Sequence, residues 1–156
     1  MSNKAKLYVF GGVLISLFAT NVFAELRIGA IGSNTEFQGV YSDDSSYGID
    51  AGYDINRVIG LKGSYEFGDD IDYYQVGADL GYTFGDSVQI KPYVAANIIG
   101  LTSDDGSNSG FAPSVGLRVS LNSLYADLSY TMEGETDDDL DSSDYSRTSL
   151  SLGLKF

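Results

Sequence analysis

The amino-acid sequence predicts an all-β fold, an eight-stranded antiparallel transmembrane β-barrel arranged as an up-and-down meander. Three observations predict it. Apolar and polar residues alternate in eight successive segments, acidic residues concentrate in every second connection, and the last twelve residues form a strand with one apolar face. Because successive side chains of a strand point to opposite faces, such alternation indicates strands with one apolar and one polar face.

The first 24 residues precede the predicted barrel and resemble a secretory signal peptide. Lys4 and Lys6 form a short basic region, Leu7–Ala19 is mostly apolar, and Val22-Phe23-Ala24 offers a small-residue cleavage site. A retained transmembrane anchor is the alternative, but a span takes about 20 apolar residues and this run has 13. We predict cleavage after Ala24, which leaves residues 25–156 as one barrel domain.

The first four segments carry apolar side chains at every second position. These positions are Leu26, Ile28 and Ala30, then Ile49, Ala51, Tyr53 and Ile55, then Ile59, Leu61, Tyr65 and Phe67, then Tyr74, Val76, Ala78, Leu80, Tyr82 and Phe84. We therefore expect strands over Glu25–Gly32, Tyr47–Ile55, Ile59–Phe67 and Tyr73–Phe84.

The last four segments follow the same rule. Their apolar positions are Val88, Ile90, Val94, Ala96 and Ile98, then Val115, Leu117, Val119 and Leu121, then Leu124, Ala126, Leu128, Tyr130 and Met132, then Leu150, Leu152, Leu154 and Phe156. We expect strands over Val88–Ile99, Phe111–Leu121, Ser123–Glu133 and Tyr145–Phe156. Pro92 argues against a central position for the fifth strand, because proline donates no ladder hydrogen bond.

The predicted connections alternate between long and short. The long ones are Ser33–Ser46, Gly68–Asp72, Thr102–Gly110 and Gly134–Asp144, and the short ones are Asn56–Val58, Gly85–Ser87 and the turn at Asn122. Acidic residues gather at the long connections. Outer-membrane barrels have short periplasmic turns and longer external loops, so this pattern predicts periplasmic termini and external acidic loops.

Charged residues within the strands fall on the polar faces, and we expect them to form a network inside the barrel. Its predicted members are Arg27, Asp50, Asp54, Lys62, Glu66, Asp79, Lys91, Arg118, Asp127, Arg147 and Lys155. Lysine or arginine that faces lipid at mid-bilayer costs about 2–4 kcal/mol, which explains the absence of charge from the apolar faces. Inside an eight-stranded barrel, opposite charges can pair across a lumen that side chains just fill.

The terminal strand, together with the signal segment, the eight strands and the acidic loops, resembles the small eight-stranded outer-membrane barrels. These include the OmpX/Ail group, the OmpA barrel domain and the opacity-type porin family. The alternating Leu150, Leu152, Leu154 and Phe156 resemble the carboxyl-terminal signature of such proteins. The resemblance implies export to the outer membrane of a Gram-negative envelope, contact with its lipids and lipopolysaccharide, and recognition of the terminal strand by the barrel-assembly machinery.

Enzymatic and metal chemistry find little support in the sequence, and we predict no cofactor. Neither histidine nor cysteine is present, which excludes nucleophile–histidine and cysteine-based catalysis. Asp50 and Asp54 lie four residues apart on one strand, about 13 Å by strand rise, and are better suited to ion pairing. In the acidic loop, Asp137, Asp139 and Asp141 have calcium-loop spacing, but Ser142 stands where that motif needs glycine, so only loose divalent-cation binding is compatible with it.

The expected function is therefore envelope structure or surface interaction through acidic external loops on a closed, salt-bridged scaffold. A small passive channel is the alternative, and an unpaired row of inward charges along a clear lumen would favour it. After removal of residues 1–24 the net charge is −15, so nucleic acid is not an expected partner. An extracellular ligand at the loops and a monomeric state are our other expectations.

Overall fold

The computed structural model describes residues 24–37, 43–69, 71–103, 106–132, 135–136 and 145–156. Residues 1–23 of the predicted signal segment and the candidate cation ligands Asp137, Asp139 and Asp141 lie outside these ranges. Nine strands occur in the described part of the chain: β1 (Glu25–Phe37), β2 (Asp44–Asp54), β3 (Ile59–Phe67), β4 (Asp72–Gly81), β5 (Val88–Ser103), β6 (Gly106–Leu121), β7 (Leu124–Thr131), β8 (Glu135–Thr136) and β9 (Tyr145–Lys155). Within the same ranges, no helix is long and apolar enough to cross a membrane.

Eight of the nine described strands form a closed antiparallel barrel. Each of β1 to β6 pairs with the next strand along the chain, β7 pairs with β9, and β9 closes the barrel on β1. The two-residue β8 adds a short pairing to β6 at Gly110 and Phe111. The predicted all-β meander of eight strands is confirmed.

The stagger of the barrel can be followed through its backbone pairing. Starting at Glu25 and stepping from partner to partner around all eight strands, the path returns to β1 at Thr35, ten residues further along. With about 3.3 Å per residue and about 4.8 Å between strands, this stagger gives a strand tilt of about 40°. That tilt is usual for a closed barrel, and eight strands leave an interior that side chains can fill.

Several predicted boundaries require correction at the end of the barrel opposite the termini, here called the loop end. The Thr102–Gly110 loop is instead the tip of a long hairpin, in which Ser103 pairs with Gly106. β1 likewise extends to Phe37. At the other end of the barrel, which carries the termini, the connection of residues 82–87 is six residues long although it was predicted to be short. The predicted alternation of loop lengths is therefore wrong. Strands that continue beyond the bilayer need no apolar face, so their polar sequences resemble loops.

The alternation of side chains agrees with the prediction on both faces. Most large apolar side chains of the strands point outward, with exposed fractions between 36% and 73%. The outward set includes Leu26, Ile28, Ile49, Leu61, Val76, Leu80, Val94, Ile98, Val115, Leu117, Leu128, Leu150, Leu152 and Leu154. Exposed aromatic residues lie near both ends, with Tyr82, Phe84 and Phe156 at the end that carries the termini, here called the terminal end. Such rings are typical of the two membrane interfaces.

Pro92 is accommodated at a break in the ladder between β4 and β5. Ile90 and Phe84 exchange two backbone hydrogen bonds of 2.9 Å. Because backbone groups two residues apart on a strand point to the same side, the nitrogen of Pro92 points toward the same neighbouring segment. β4, however, ends at Gly81, and the segment opposite Pro92 is not strand. The missing N–H of proline therefore leaves no gap within a continuous ladder.

Candidate functional site

Arg118 on β6 is the centre of an ion cluster that crosses the lumen, here called the central ion cluster. Its Nη1 lies 3.0 Å from Oδ1 of Asp54, its Nη2 lies 3.1 Å from Oδ2 of Asp79, and its Nε lies 2.7 Å from Oδ2 of Asp127. The guanidinium also stacks on the ring of Tyr93, 5.1 Å from the ring centroid. One arginine therefore links strands β2, β4 and β7 with its own strand.

Lys91 and Arg27 complete the central ion cluster. The Lys91 ammonium lies 2.8 Å from Asp54 Oδ1 and 2.6 Å from Asp79 Oδ1. Arg27 Nε donates to Asp54 Oδ2 at 3.0 Å, and its Nη1 lies 4.0 Å from Asp127 Oδ2. Three cations thus balance three carboxylates, and all six residues are buried. Buried charges are tolerated when they are paired and hydrogen-bonded, as they are here.

Glycines on the inner face make room for these large side chains. A Cβ on Gly52 would overlap the guanidinium of Arg27, and a Cβ on Gly116 would overlap the ring of Tyr93. Tyr93 in turn donates its hydroxyl to Asp127 Oδ1 at 2.5 Å. The small inward residues therefore allow Arg27 and Tyr93 to lie against the neighbouring strand.

A second polar group closes the lumen nearer the loop end. The fully buried carboxylate of Glu66 accepts hydrogen bonds from Arg147 and from Ser33, Ser46 and Ser64. The Arg147 guanidinium stacks on Tyr73, with 4.3 Å between the guanidinium carbon and the ring centroid. Because Glu66 lies on β3 and Arg147 on β9, this pair also crosses the interior.

Buried apolar residues line the lumen above this group. Tyr73, Ile99, Ala112 and Tyr145 point inward with at most 2% of their surface exposed. The sequence analysis assigned none of these four residues to the interior, because it identified the inward faces mainly by their polar and glycine positions. Tyr73 is separated from Gln75 and Asp79 by even numbers of residues on the same strand. This spacing was the sequence signal that Tyr73 points inward.

At the terminal end the charges are more exposed. Lys155 Nζ lies 3.2 Å from Glu25 Oε1 and 2.6 Å from Gln89 Oε1. Arg57 and Asp86 form a 3.2 Å pair between two turns, with the Asp86 side chain 90% exposed. An exposed pair of this kind contributes about 0–1 kcal/mol.

Two predicted members of the charge network lie outside its salt bridges. Asp50 accepts a hydrogen bond of 2.8 Å from the Tyr125 hydroxyl, and no cation lies within salt-bridge distance in the described ranges. The Lys62 ammonium lies 5.4 Å from the centroid of the Tyr93 ring and likewise has no carboxylate partner there. The structure brings the other nine predicted residues into salt bridges: Arg27, Asp54, Glu66, Asp79, Lys91, Arg118, Asp127, Arg147 and Lys155.

Two small cavities lie among these side chains. One, of about 30 Å³, lies between the central ion cluster and the Glu66 group and is lined by Arg27, Ile31, Asp50, Lys62 and Ser64, among others. The other, of about 10 Å³, lies on the terminal side of the cluster. Both have the size of one or two water molecules, and the central ion cluster separates them.

The acidic residues in the described part of the chain do not form a metal centre. No group of three or more acidic residues there is placed to hold a metal ion. Asp50 and Asp54, which share a strand, have different surroundings, since Asp50 faces Tyr125 and Asp54 contacts three cations. Outward-facing Leu150, Leu152, Leu154 and Phe156 form the apolar face of the terminal strand, where an assembly signal is predicted.

A protein-family model described as the outer membrane protein beta-barrel domain matches residues 7–156. The chain belongs to this outer-membrane β-barrel family. The family assigns the protein to the outer membrane and agrees with its apolar exterior and polar interior. No curated protein sequence matches this outer-membrane barrel.

Solved structures of small outer-membrane barrels share the fold. Ail, the attachment invasion locus protein of Yersinia pestis, is 18% identical with a TM-score of 0.52. The N-terminal β-barrel domain of Pseudomonas aeruginosa OprF is 20% identical with a TM-score of 0.54, and Neisserial surface protein A is 16% identical with a TM-score of 0.53. Each alignment covers 85% of this outer-membrane barrel and 97% of the other chain. The predicted resemblance is confirmed at the level of family and fold.

Proposed function

We propose that this outer-membrane barrel is a closed, non-enzymatic scaffold that acts in envelope structure or surface interaction through its acidic external loops. The observation that carries the proposal is the contact between Arg118 and Asp54, which spans the lumen at 3.0 Å. A hydrated ion needs a continuous path, and the central ion cluster fills the cross-section with paired side chains. Function is then expected at the surfaces rather than in the interior.

The charge of the loops limits the surface ligands that this proposal accommodates. One crystal structure of Ail holds a heparin analogue, sucrose octasulfate, which is a polyanion. This chain instead carries acidic residues such as Asp43, Asp44, Asp69 and Asp72 at its loop end. Like charges repel, so a cationic partner is expected, or a phosphate group of lipopolysaccharide that a divalent cation bridges to the acids. We also propose that the barrel-assembly machinery recognises the terminal strand, that the barrel contacts the outer-membrane lipids, and that it is a monomer.

A small passive channel is the second candidate, and Lys62 is the observation that favours it. Its ammonium faces the 30 Å³ cavity without a salt bridge in the described part of the chain. An inward charge that is not neutralised can attract counter-ions. The cavity is nevertheless separated from the terminal side by Arg27, Asp54 and Arg118, which supports the closed scaffold more strongly.

Conductance in a planar lipid bilayer tests the proposal. The full chain would be purified from outer membranes of an expressing Gram-negative host, and its folding would be checked by the gel shift between boiled and unboiled samples. A folded barrel without discrete current steps is expected. Reproducible steps, absent from a matched preparation of the empty host, would overturn the closed scaffold in favour of the channel.

A further inference from the structure

Four outward side chains at the loop end of β2, β3 and β4 form one surface, here called the aromatic–acidic patch: Tyr47, Tyr65, Phe67 and Asp72. Phe67 is the backbone partner of Tyr47 on one side and of Asp72 on the other. Tyr65 lies two residues before Phe67 and therefore points to the same face. We propose that this patch binds the ammonium group of a lipid headgroup in the leaflet at the loop end. The inference rests on the surface role proposed above for the acidic loop end.

The aromatic rings form the walls of the patch. The ring centroids of Tyr65 and Phe67 lie 5.0 Å apart and the ring planes are inclined by 71°, so the two rings meet like the sides of a corner. The Tyr47 side chain is 73% exposed beside them, and Phe67 is 50% exposed. No arginine or lysine of the described residues lies over these three rings. The faces of such rings attract cations, and ammonium ligands are recognised in this way.

Asp72 adds a full negative charge at the edge of the rings. The Tyr65 hydroxyl donates to its Oδ2 at 3.0 Å and holds the carboxylate beside the aromatic walls. Within the described ranges, no cationic side chain lies within salt-bridge distance of Asp72. This outward carboxylate therefore differs from the paired acids of the lumen, and charge complementarity selects a cationic ligand from outside the chain.

The depth of the patch identifies a lipid as the source of the ammonium group. At the observed tilt, the eight residues from Leu80 to Asp72 correspond to about 20 Å along the barrel axis, within an apolar band about 25 Å tall. Asp72 thus lies near the edge of the band, where headgroups begin. On the membrane side of the patch, Ile49 and Val76 are 68% and 65% exposed. A lipid can contact this apolar surface with its acyl chains and the patch with its headgroup.

Fluorescence quenching by brominated lipids tests the site, because the chain has no tryptophan. Val76→Trp places one reporter on the outer face, about 10 Å deeper in the membrane than Asp72. The full chain, purified from outer membranes, would be reconstituted in phosphatidylglycerol vesicles and its folding checked by the gel shift. Brominated phosphatidylethanolamine should associate with the reporter about two- to fivefold more strongly than brominated phosphatidylglycerol, the range for an exposed cation–π contact. Equal association of the two lipids would overturn the proposal.

Matched variants and a modified lipid separate the patch from a general lipid preference. Asp72→Asn in the reporter chain keeps the shape of the side chain without its charge and should abolish the preference. Asp86→Asn is the control, because Asp86 is an exposed acid at the terminal end, and it should leave the preference unchanged. If Asp72→Asn does not fold, Tyr47→Leu, at a largely exposed position, should weaken the preference. N-acetylated phosphatidylethanolamine lacks the ammonium group and should associate no better than phosphatidylglycerol. A preference that the acetylated lipid shares, or that survives loss of the patch side chains, would contradict the site.

A soluble cationic peptide is the competing occupant. Trilysine with a nitroxide label would be added to the reporter chain in dodecyl maltoside micelles, and it should quench the wild-type patch and the Asp72→Asn variant equally. Quenching that depends on Asp72, without a preference for phosphatidylethanolamine in vesicles, would assign the patch to a soluble cation and overturn the lipid assignment. Bilayer conductance tests the closed scaffold independently, so failure of the lipid site can be distinguished from failure of that scaffold.

Discussion

Arg118 and Asp54 face each other across the full width of the barrel, with 3.0 Å between Nη1 and Oδ1. Arg118 lies on β6 and Asp54 on β2, and the strand order places three strands between them in either direction. Two side chains on opposite walls can meet only where the lumen is closed. Their contact defines the level at which the terminal side and the loop side of the interior are separated.

Replacement of Arg118 by methionine should destabilise the folded barrel strongly. The substitution preserves much of the volume but leaves Asp54, Asp79 and Asp127 with one cation fewer in a buried site. Breaking a buried pair by removing one partner costs about 3–5 kcal/mol. The free energy of unfolding in urea, followed by the gel shift of unboiled samples, would measure the loss.

Arg57→Met is the matched control for Arg118→Met. Arg57 pairs with Asp86 between exposed turns, so the same change there should cost at most about 1 kcal/mol. In addition, Arg118→Met combined with Asp127→Leu should be less destabilising than the sum of the single changes, because it restores charge balance. Equal losses for Arg118→Met and Arg57→Met would refute the central role of the cluster.

The local alternation of the sequence was sufficient to identify which charged side chains point inward. It could not identify their partners, because these depend on the ten-residue stagger that brings distant strands face to face. Lys62 and Lys91 have the same local pattern, yet Lys91 contacts Asp54 and Asp79 while Lys62 contacts the Tyr93 ring. Which side chains pair across the lumen therefore depends on how the barrel closes.

The polar hairpin at the loop end was missed for a different reason. Ser103 and Gly106 terminate strands whose outer parts lack any apolar periodicity. Apolar and polar residues alternate where one face of a strand contacts the bilayer and the other the packed interior. The alternation disappears where both faces meet water. The inward apolar residues Ile99 and Ala112 were overlooked because the inward faces were identified mainly by their polar and glycine positions.

Gly116→Ala should destabilise the barrel although it adds only a methyl group. The new Cβ would overlap the ring of Tyr93 and displace its hydroxyl from Asp127 Oδ1, which it now reaches at 2.5 Å. Overpacking of a filled interior costs about 1–3 kcal/mol. Gly63→Ala is the control, since a Cβ there would make an ordinary contact of 3.4 Å with Gln75 O. Urea unfolding should separate the two variants, and similar stabilities would contradict the role of Gly116.

Cleavage of the signal segment should leave Glu25 as the first residue of the membrane protein. Glu25 begins β1, pairs with Asp54 in the backbone ladder and contacts Lys155 through its carboxylate. Cleavage after Ala24 therefore keeps the first strand whole. Intact-mass spectrometry of the outer-membrane protein should give residues 25–156. Ala24→Arg should block processing, because cleavage requires a small residue there, whereas Asn21→Gln should not. A wild-type mass that includes residues 1–24 would contradict the prediction.

Arginine on the outer face should be tolerated near the turn of β7 and costly in its middle. Leu124 follows the two-residue turn at Asn122, and Leu128 lies four residues further along the same strand. At the observed tilt this distance moves the side chain about 10 Å deeper into an apolar band about 25 Å tall. Leu128→Arg should therefore cost about 2–4 kcal/mol and Leu124→Arg about 0–1 kcal/mol, measured by urea unfolding in lipid vesicles. Leu128 and Leu124 are 51% and 59% exposed, so loss of internal packing cannot explain a difference between the variants. Equal costs at both positions would mean that the bilayer does not cover this face as the apolar band requires.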